Sequence, residues 1–162
     1  MTPVTQSHLH APPESYGSCW RACLASVLDL PERAVPHFVD PRLFSDGSGD
    51  APSVNLLDYI HGAALVDWWY AGLAWLRMLG YELVEVDLSD EYAPVRDEYL
   101  ISSGGHSPRS PFPPGHAEAT THAVVYGRQT DGSYRMVHDP HPSRDGIIGE
   151  PSSFYALRPL NP

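Results

Sequence analysis

Two cysteines four residues apart, Cys19 and Cys23, lie in the stretch "ESYGSCWRACLASVLDL" that runs from Glu14 to Leu30. Trp20, Cys23, Leu24, Val27 and Leu28 recur at helical spacing. A helix is therefore expected from Ser18, capped by Ser18 or Gly17 and closed by Leu30-Pro31. Cys19 then falls in the first turn, where unpaired backbone N–H groups and the positive end of the macrodipole favour a thiolate. Cys23 stands one turn further on, along the apolar stripe, and reads as a buried, protonated, inert thiol. The chemistry on offer is nucleophilic attack by the Cys19 sulfur. Taken alone, Cys19 reads as one more small buried residue.

A nucleophilic thiol needs a base, and the base needs a group to orient it. "HAVVYG" and "YRMVHD" flank "RQTDGS", in which Asp131-Gly132 is a hairpin turn signal. A two-residue turn there puts Thr130 opposite Ser133, Tyr126 opposite Val137 and Val124 opposite Asp139. His122 and Asp139 then share a face as diagonal neighbours, about 7 Å apart at Cα. A slip of one residue would bring His138 beside His122 instead. Asp139 can hold one imidazole nitrogen of His122 and leave the other for the sulfur. Singly, His122 reads as a satisfied strand residue and Asp139 as a turn acid before Pro140. Cysteine, histidine and carboxylate together read as a catalytic set.

Acyl transfer also needs donors for a developing oxyanion. The backbone N–H of Cys19 is one candidate. The chain has two glutamines, and Gln129 belongs to the hairpin turn. Gln6, on the arm ahead of the cysteine, is the side-chain candidate if that arm folds back; otherwise it is a solvated polar residue.

The elements that must position these groups follow from the rest of the chain. Its 162 residues suit one domain, 1–162, with a real core, and 42% hydrophobic content is ordinary for a globular protein. Residues 1–16 read as an extended arm. A short helical turn is expected from Pro31, ending before Pro36. "DPRLFSDGSGDAPS" is a loop by composition. Asn55 to Leu79 reads as one broken helix or two, with Gly62 and Gly72 as weak points and Gly80 as the residue after the helix. The aromatic cluster Trp68, Trp69, Tyr70 and Trp75 reads as core. "YELVEVDL", "EYLISS", the two hairpin segments and "SSFYALRPL" read as strands, and residues 104–121 as a long Pro- and Gly-rich loop. A helix-rich first half and a strand-rich second half predict an α+β fold.

Net charge is −10, and all ten basic residues are arginine, a bias ascribed to coding composition. The acidic balance argues against nucleic acid. It also disfavours acidic substrates and favours neutral or cationic peptides. "MTPVTQSHLH" lacks a basic start and an apolar run, so no signal peptide is expected. "AALVDWWYAGLAWLRML" is too short and too polar to cross a bilayer, so no membrane partner is expected. Two unpaired thiols suit the cytoplasm. The sequence carries no signal of oligomeric state.

A cysteine at a helix start, then "HAVVYG", then an acid 17 positions beyond the histidine resembles the order of papain-like cysteine peptidases. The nearest likeness is to bacterial double-glycine leader peptidases, whose cysteine helix is similar to "SCWRACLASVL". It extends to small phage and bacterial proteins that share Cys19–Leu28, Leu30–Phe38, His122–Val125 and Val137–Ser143. The resemblance implies a papain-like fold, with an N-terminal helix carrying the cysteine packed on a C-terminal antiparallel sheet. It implies Cys19 as nucleophile, His122 as base, Asp139 as orienter and Gln6 as oxyanion donor. The papain pattern places its glutamine about six residues ahead of the cysteine, a position held here by Pro13. Gln6 stands 13 residues ahead, so its role requires the arm to bulge.

"VHDPHPS" carries more than such a triad needs. His138, His141, Ser143 and Arg144 stand as substrate-binding or loop-bracing residues, and Trp20 either walls the cleft or packs beneath it. Arg109, in the long loop, reads as a carboxylate binder or a solvated arginine. The expected activity is a cysteine hydrolase acting through a thioester on a peptide or small amide, with no cofactor and no metal. The alternatives are an acyltransferase or transamidase of the same fold, a non-catalytic binding module, and a metal-binding protein. For the last, nine histidines are suggestive, but their spacing matches no common zinc motif.

Overall fold

Glycine, proline and alternating apolar residues divide the second half of the chain into short strands, and in the computed structural model five of them form one sheet. The structure describes residues 1–11, 15–37, 68–90, 95–116 and 119–160. The loop expected at 40–53, the first part of the helix expected at 55–79, and Pro12-Pro13 lie outside the described residues.

The architecture is α+β. A small ribbon, β1 (His10–Ala11) with β2 (Ser15–Tyr16), precedes helix α1 (Cys19–Val27) and a 3₁₀ turn (Glu32–Ala34). Helix α2 (Trp68–Met78) leads into β3 (Tyr81–Val86). Then follow β4 (Tyr99–Ser103), β5 (Gly105–His106), β6 (Thr121–His122), β7 (Val125–Arg128), β8 (Tyr134–His138) and β9 (Ser153–Pro159). Five strands pair antiparallel in the order β3-β9-β4-β7-β8, and β5 pairs with β6 as a separate ribbon.

Helix α1 begins where the sequence pattern places it. Gly17 turns the chain at φ +69° and Ser18 is the N-cap residue. Residues 20–26 are buried on every face, so this nine-residue helix is held by packing rather than by propensity. Trp20, Cys23, Leu24 and Ala25 join Val35, Trp75, Leu76, Ile101 and Val125 in the core. Two buried polar side chains make hydrogen bonds there. Ser26 Oγ donates to the Ala22 carbonyl, and Arg21 Nε donates to the Val35 carbonyl.

Four expectations are corrected. The arm is not extended throughout, because residues 10–11 and 15–16 pair as a ribbon. Tyr70 is 65% exposed and outside the core, unlike Trp69 and Trp75; the side chain of Trp68 lies outside the described set. Helix α2 runs unbroken through Gly72. The 104–121 segment is not a plain loop, since β5 and β6 pair at its base and Ser107 N–H bonds the Thr120 carbonyl.

The hairpin differs in an instructive way. Its turn holds three residues, closed by Gln129 N–H to the Ser133 carbonyl at 2.7 Å. Gly132 takes φ +86°, a conformation glycine adopts without a steric penalty. Tyr126 therefore faces Met136 and not Val137. A β-bulge between Val125 and Tyr126 absorbs the extra residue. Beyond it Val125 stands opposite His138, the register expected from the shorter turn.

Candidate active site

Cys19 is the first residue of α1, and the side chain of its N-cap does not cap it. Ser18 Oγ instead donates to Glu32 Oε1 at 2.7 Å and accepts from His8 N–H at 3.1 Å. Helix-start N–H groups are thereby left for another acceptor. The backbone N–H groups of Trp20 and Ala123 favour the charged form of the Cys19 sulfur.

His122 comes from β6 and is buried. Its Nε2 meets Asp139 Oδ1 at 2.7 Å, and its ring acts electrostatically on the Cys19 thiol. With Nε2 on the carboxylate, Nδ1 is the nitrogen that serves the sulfur. Asp139 is 5% exposed. Oδ1 also accepts from His141 N–H at 2.8 Å, and Oδ2 accepts from Gly146 N–H at 2.7 Å. Residues 140–146 therefore wrap the carboxylate. Gly146 sits at φ +72°, where a side chain would be strained, and a Cβ there would lie 2.9 Å from Met136 Cε.

The electrostatics follow from these contacts. Burial pushes the Cys19 thiol up, but the hydrogen bond and charge of His122, with the two backbone N–H groups, outweigh it and bring it below its ordinary value. For His122, burial opposes the charged form. The Asp139 hydrogen bond and the Cys19 contact prevail and raise it to about 9. Burial likewise opposes the Asp139 carboxylate, but the His122 bond and the N–H groups of His141 and Gly146 lower it to about 2. Together these shifts favour a thiolate beside an imidazolium that is backed by a carboxylate. Cys23 is fully buried, and burial pushes its thiol well up. Both thiols are unpaired.

Gln6 joins this group. It is 7% exposed, and its backbone N–H bonds the Pro140 carbonyl at 2.9 Å. Its Nε2 donates to the His8 carbonyl at 3.0 Å, which leaves a second N–H on that nitrogen. Its Oε1 is buried and has no partner among the described residues. The long spacing to Cys19 is taken up by the β1-β2 ribbon. His8 and Ser18 bond across the ribbon's base, through Ser18 N–H to the His8 carbonyl and His8 N–H to Ser18 Oγ. Gln6 and Cys19 line the same cleft.

A cleft of about 520 Å³ opens onto Cys19, His122 and Gln6. The arm supplies Leu9 and His10 to one wall, and the 107–121 segment supplies Arg109, Pro111 and Phe112 to another. His141 also faces it, with its ring 6.3 Å from that of His122.

The other expected substrate contacts lie elsewhere. Trp20 is buried against Trp69 and Tyr155, beneath the site rather than on the cleft wall. His138 is buried, with Nε2 2.9 Å from the Val4 carbonyl, and braces the arm. Arg144 is exposed, sits at φ +55° and does not line the cleft. Ser143 braces a loop, with Oγ 2.7 Å from His141 Nδ1 and 3.0 Å from Arg109 Nη1.

Sequence reasoning missed two supports. Glu32 accepts from Ser18 Oγ and from Ser7 N–H, and so fixes arm to helix. Gly146 donates to Asp139 from seven residues away. "DG" at 145–146 is a turn signal for the latter; nothing marks the former.

Among the described residues, no three of His, Cys, Asp and Glu are placed to hold a metal ion. No described helix is long and apolar enough to cross a membrane. Comparison with known proteins returned no match to any family model, curated protein or solved structure.

Proposed function

We propose that this chain is a cysteine hydrolase of the peptidase or amidase type with a papain-like fold. Cys19 is the nucleophile, His122 the acid–base and Asp139 the residue that orients it. The observation that carries the reading is the His122–Asp139 pair at 2.7 Å, with His122 and Cys19 lining one open cleft and acting on each other's protonation.

The thiolate attacks the carbonyl carbon of an amide, and the tetrahedral oxyanion takes hydrogen bonds from Gln6 Nε2 and the Cys19 backbone N–H. Imidazolium His122 gives its proton to the leaving nitrogen as the C–N bond breaks, and a thioester remains. His122 then takes a proton from water, the resulting hydroxide attacks the thioester, and Cys19 is regenerated with the free acid. Asp139 stays ionised throughout, as its low value requires. The free thiols fit the reducing cytoplasm that the sequence suggests.

The test is a panel of short peptides and N-acyl amides, quenched in acid and read by mass spectrometry. Expected is hydrolysis that Cys19→Ala abolishes, with an acyl mass trapped on the Cys19 peptide. Hydrolysis at an equal rate in Cys19→Ala, or a panel that yields neither product nor adduct, would overturn the reading.

A further inference from the structure

The chain is strongly acidic, yet the described lining of its cleft is not. No described lining residue is Asp or Glu, whereas Arg109, His10, His122 and His141 all face the space. At neutral pH the His122 imidazolium is balanced by the Cys19 thiolate beside it, which leaves Arg109 as the permanent cation of the described lining. The net charge of the whole chain therefore does not carry over to the described lining of the cleft.

Arg109 is placed to use its charge there. Its Nη1 donates to Ser143 Oγ at 3.0 Å and lies 3.5 Å from Asp145 Oδ2. Both contacts use the same nitrogen. Nε and Nη2 have no partner among the described residues, and that edge of the guanidinium is the fork that grips a carboxylate with two parallel hydrogen bonds. Asp145 is 54% exposed, so solvent screens its pull on Arg109.

His141 adds a second donor. Its Nδ1 accepts from Ser143 N–H at 3.1 Å and meets Ser143 Oγ at 2.7 Å. The proton of the neutral ring therefore belongs on Nε2. Burial and then the Arg109 charge both lower the His141 pKa, which keeps the ring neutral.

We infer that the substrate carries a carboxylate close to the scissile carbonyl, and that Arg109 is the specificity residue that anchors it. The inference rests on the proposed hydrolase reading for what is cleaved, but recognition can be measured without turnover.

The experiment uses full-length Cys19→Ala protein and three N-acetyl dipeptides. One has a free terminal carboxylate, one a terminal amide, and one a terminal amide with a glutamate side chain. Binding is read by calorimetry or NMR. At least one acid should bind about tenfold or more tightly than the neutral amide, and Arg109→Gln should remove that preference. Arg135→Gln, an exposed arginine on β8, should keep it. Which acid wins tells a terminal carboxylate from a side-chain one. Equal binding of all three, or an Arg109→Gln loss shared equally by acids and amide, would overturn the inference.

A kinetic arm uses the intact thiol, comparing alkylation of Cys19 by iodoacetate and by iodoacetamide. Arg109→Gln should lower the iodoacetate to iodoacetamide rate ratio by a similar factor, with His122 common to both proteins. An unchanged ratio would overturn the anchor while leaving the nucleophile intact. A Cys19 inert to both reagents would instead overturn the hydrolase reading, and the dipeptide binding would still decide the anchor.

Discussion

His122 Nε2 and Asp139 Oδ1 stand 2.7 Å apart across 17 residues of chain, at the base of a hairpin whose turn and bulge offset one another. The pair meets because an extra turn residue is cancelled by an extra strand residue. The carboxylate is fixed from behind by two backbone N–H groups, so it cannot turn away from the imidazole.

That arrangement makes Asp139→Asn informative. Three N–H groups now share two carboxylate oxygens, and an asparagine would turn an NH₂ toward one of them. The variant should lose about 1–3 kcal/mol of stability. Turnover should fall roughly 10²-fold or more as the imidazole loses its orienter. Alkylation of Cys19 should persist. NMR titration should find the His122 pKa well below its wild-type value; an unmoved value would contradict the role.

The pH dependence follows from the same contacts. Asp139 holds its proton less tightly when folded, near 2, than the ordinary carboxylate value near 4. Its contribution is therefore present above about pH 4 and is lost as pH falls through about 2. Allowing for solvent screening, about 1–2 kcal/mol should disappear over that window in acid denaturation curves. Asp139→Asn should lack that component. For activity, the acid limb of kcat/KM should lie below the ordinary thiol value. The alkaline limb should lie near 9, where the imidazolium loses its proton.

Gln6 should affect chemistry more than structure. Gln6→Ala should lower kcat by roughly 10- to 10³-fold, the range for loss of one oxyanion donor. Cys19 alkylation should continue at its wild-type rate, because the ion pair does not need the amide. A variant with unchanged kcat would remove Gln6 from the site.

Two buried residues of α1 should separate packing from chemistry. Cys23→Ala should cost about 1 kcal/mol in denaturant unfolding and leave turnover intact. Trp20→Ala, which empties the space against Trp69 and Tyr155, should cost about 3 kcal/mol or more. The conservative Trp20→Phe should keep the wild-type KM, as befits a residue beneath the cleft.

Much of the site was legible because its parts are local. The stripe of Trp20, Cys23, Leu24 and Val27 marks α1, and the Ser18 boundary places Cys19 in its first turn. "DG" marks the hairpin, but it does not say whether the turn holds two residues or three. The His122–Asp139 pairing tolerated that error only because of the Val125/Tyr126 bulge. Long-range contacts left no such trace. Nothing in "LPERAVP" says that Glu32 will clamp Ser18, nor in "GGHSPRSPFPP" that Arg109 will line one cleft with Cys19. Net charge is likewise silent on the cleft, since it averages over the whole surface and does not say which residues line one part of it.

The central claim is the meeting of the Cys19 sulfur with the His122 imidazole. The most direct test is the rate of iodoacetamide modification at each cysteine against pH, in wild type and in His122→Ala, read by peptide mass spectrometry. Cys19 should react first in wild type, with an apparent pKa below the ordinary thiol value, and that pKa should rise in His122→Ala. A Cys19 that titrates like a free thiol in both proteins, or a Cys23 that reacts before it, would contradict the account.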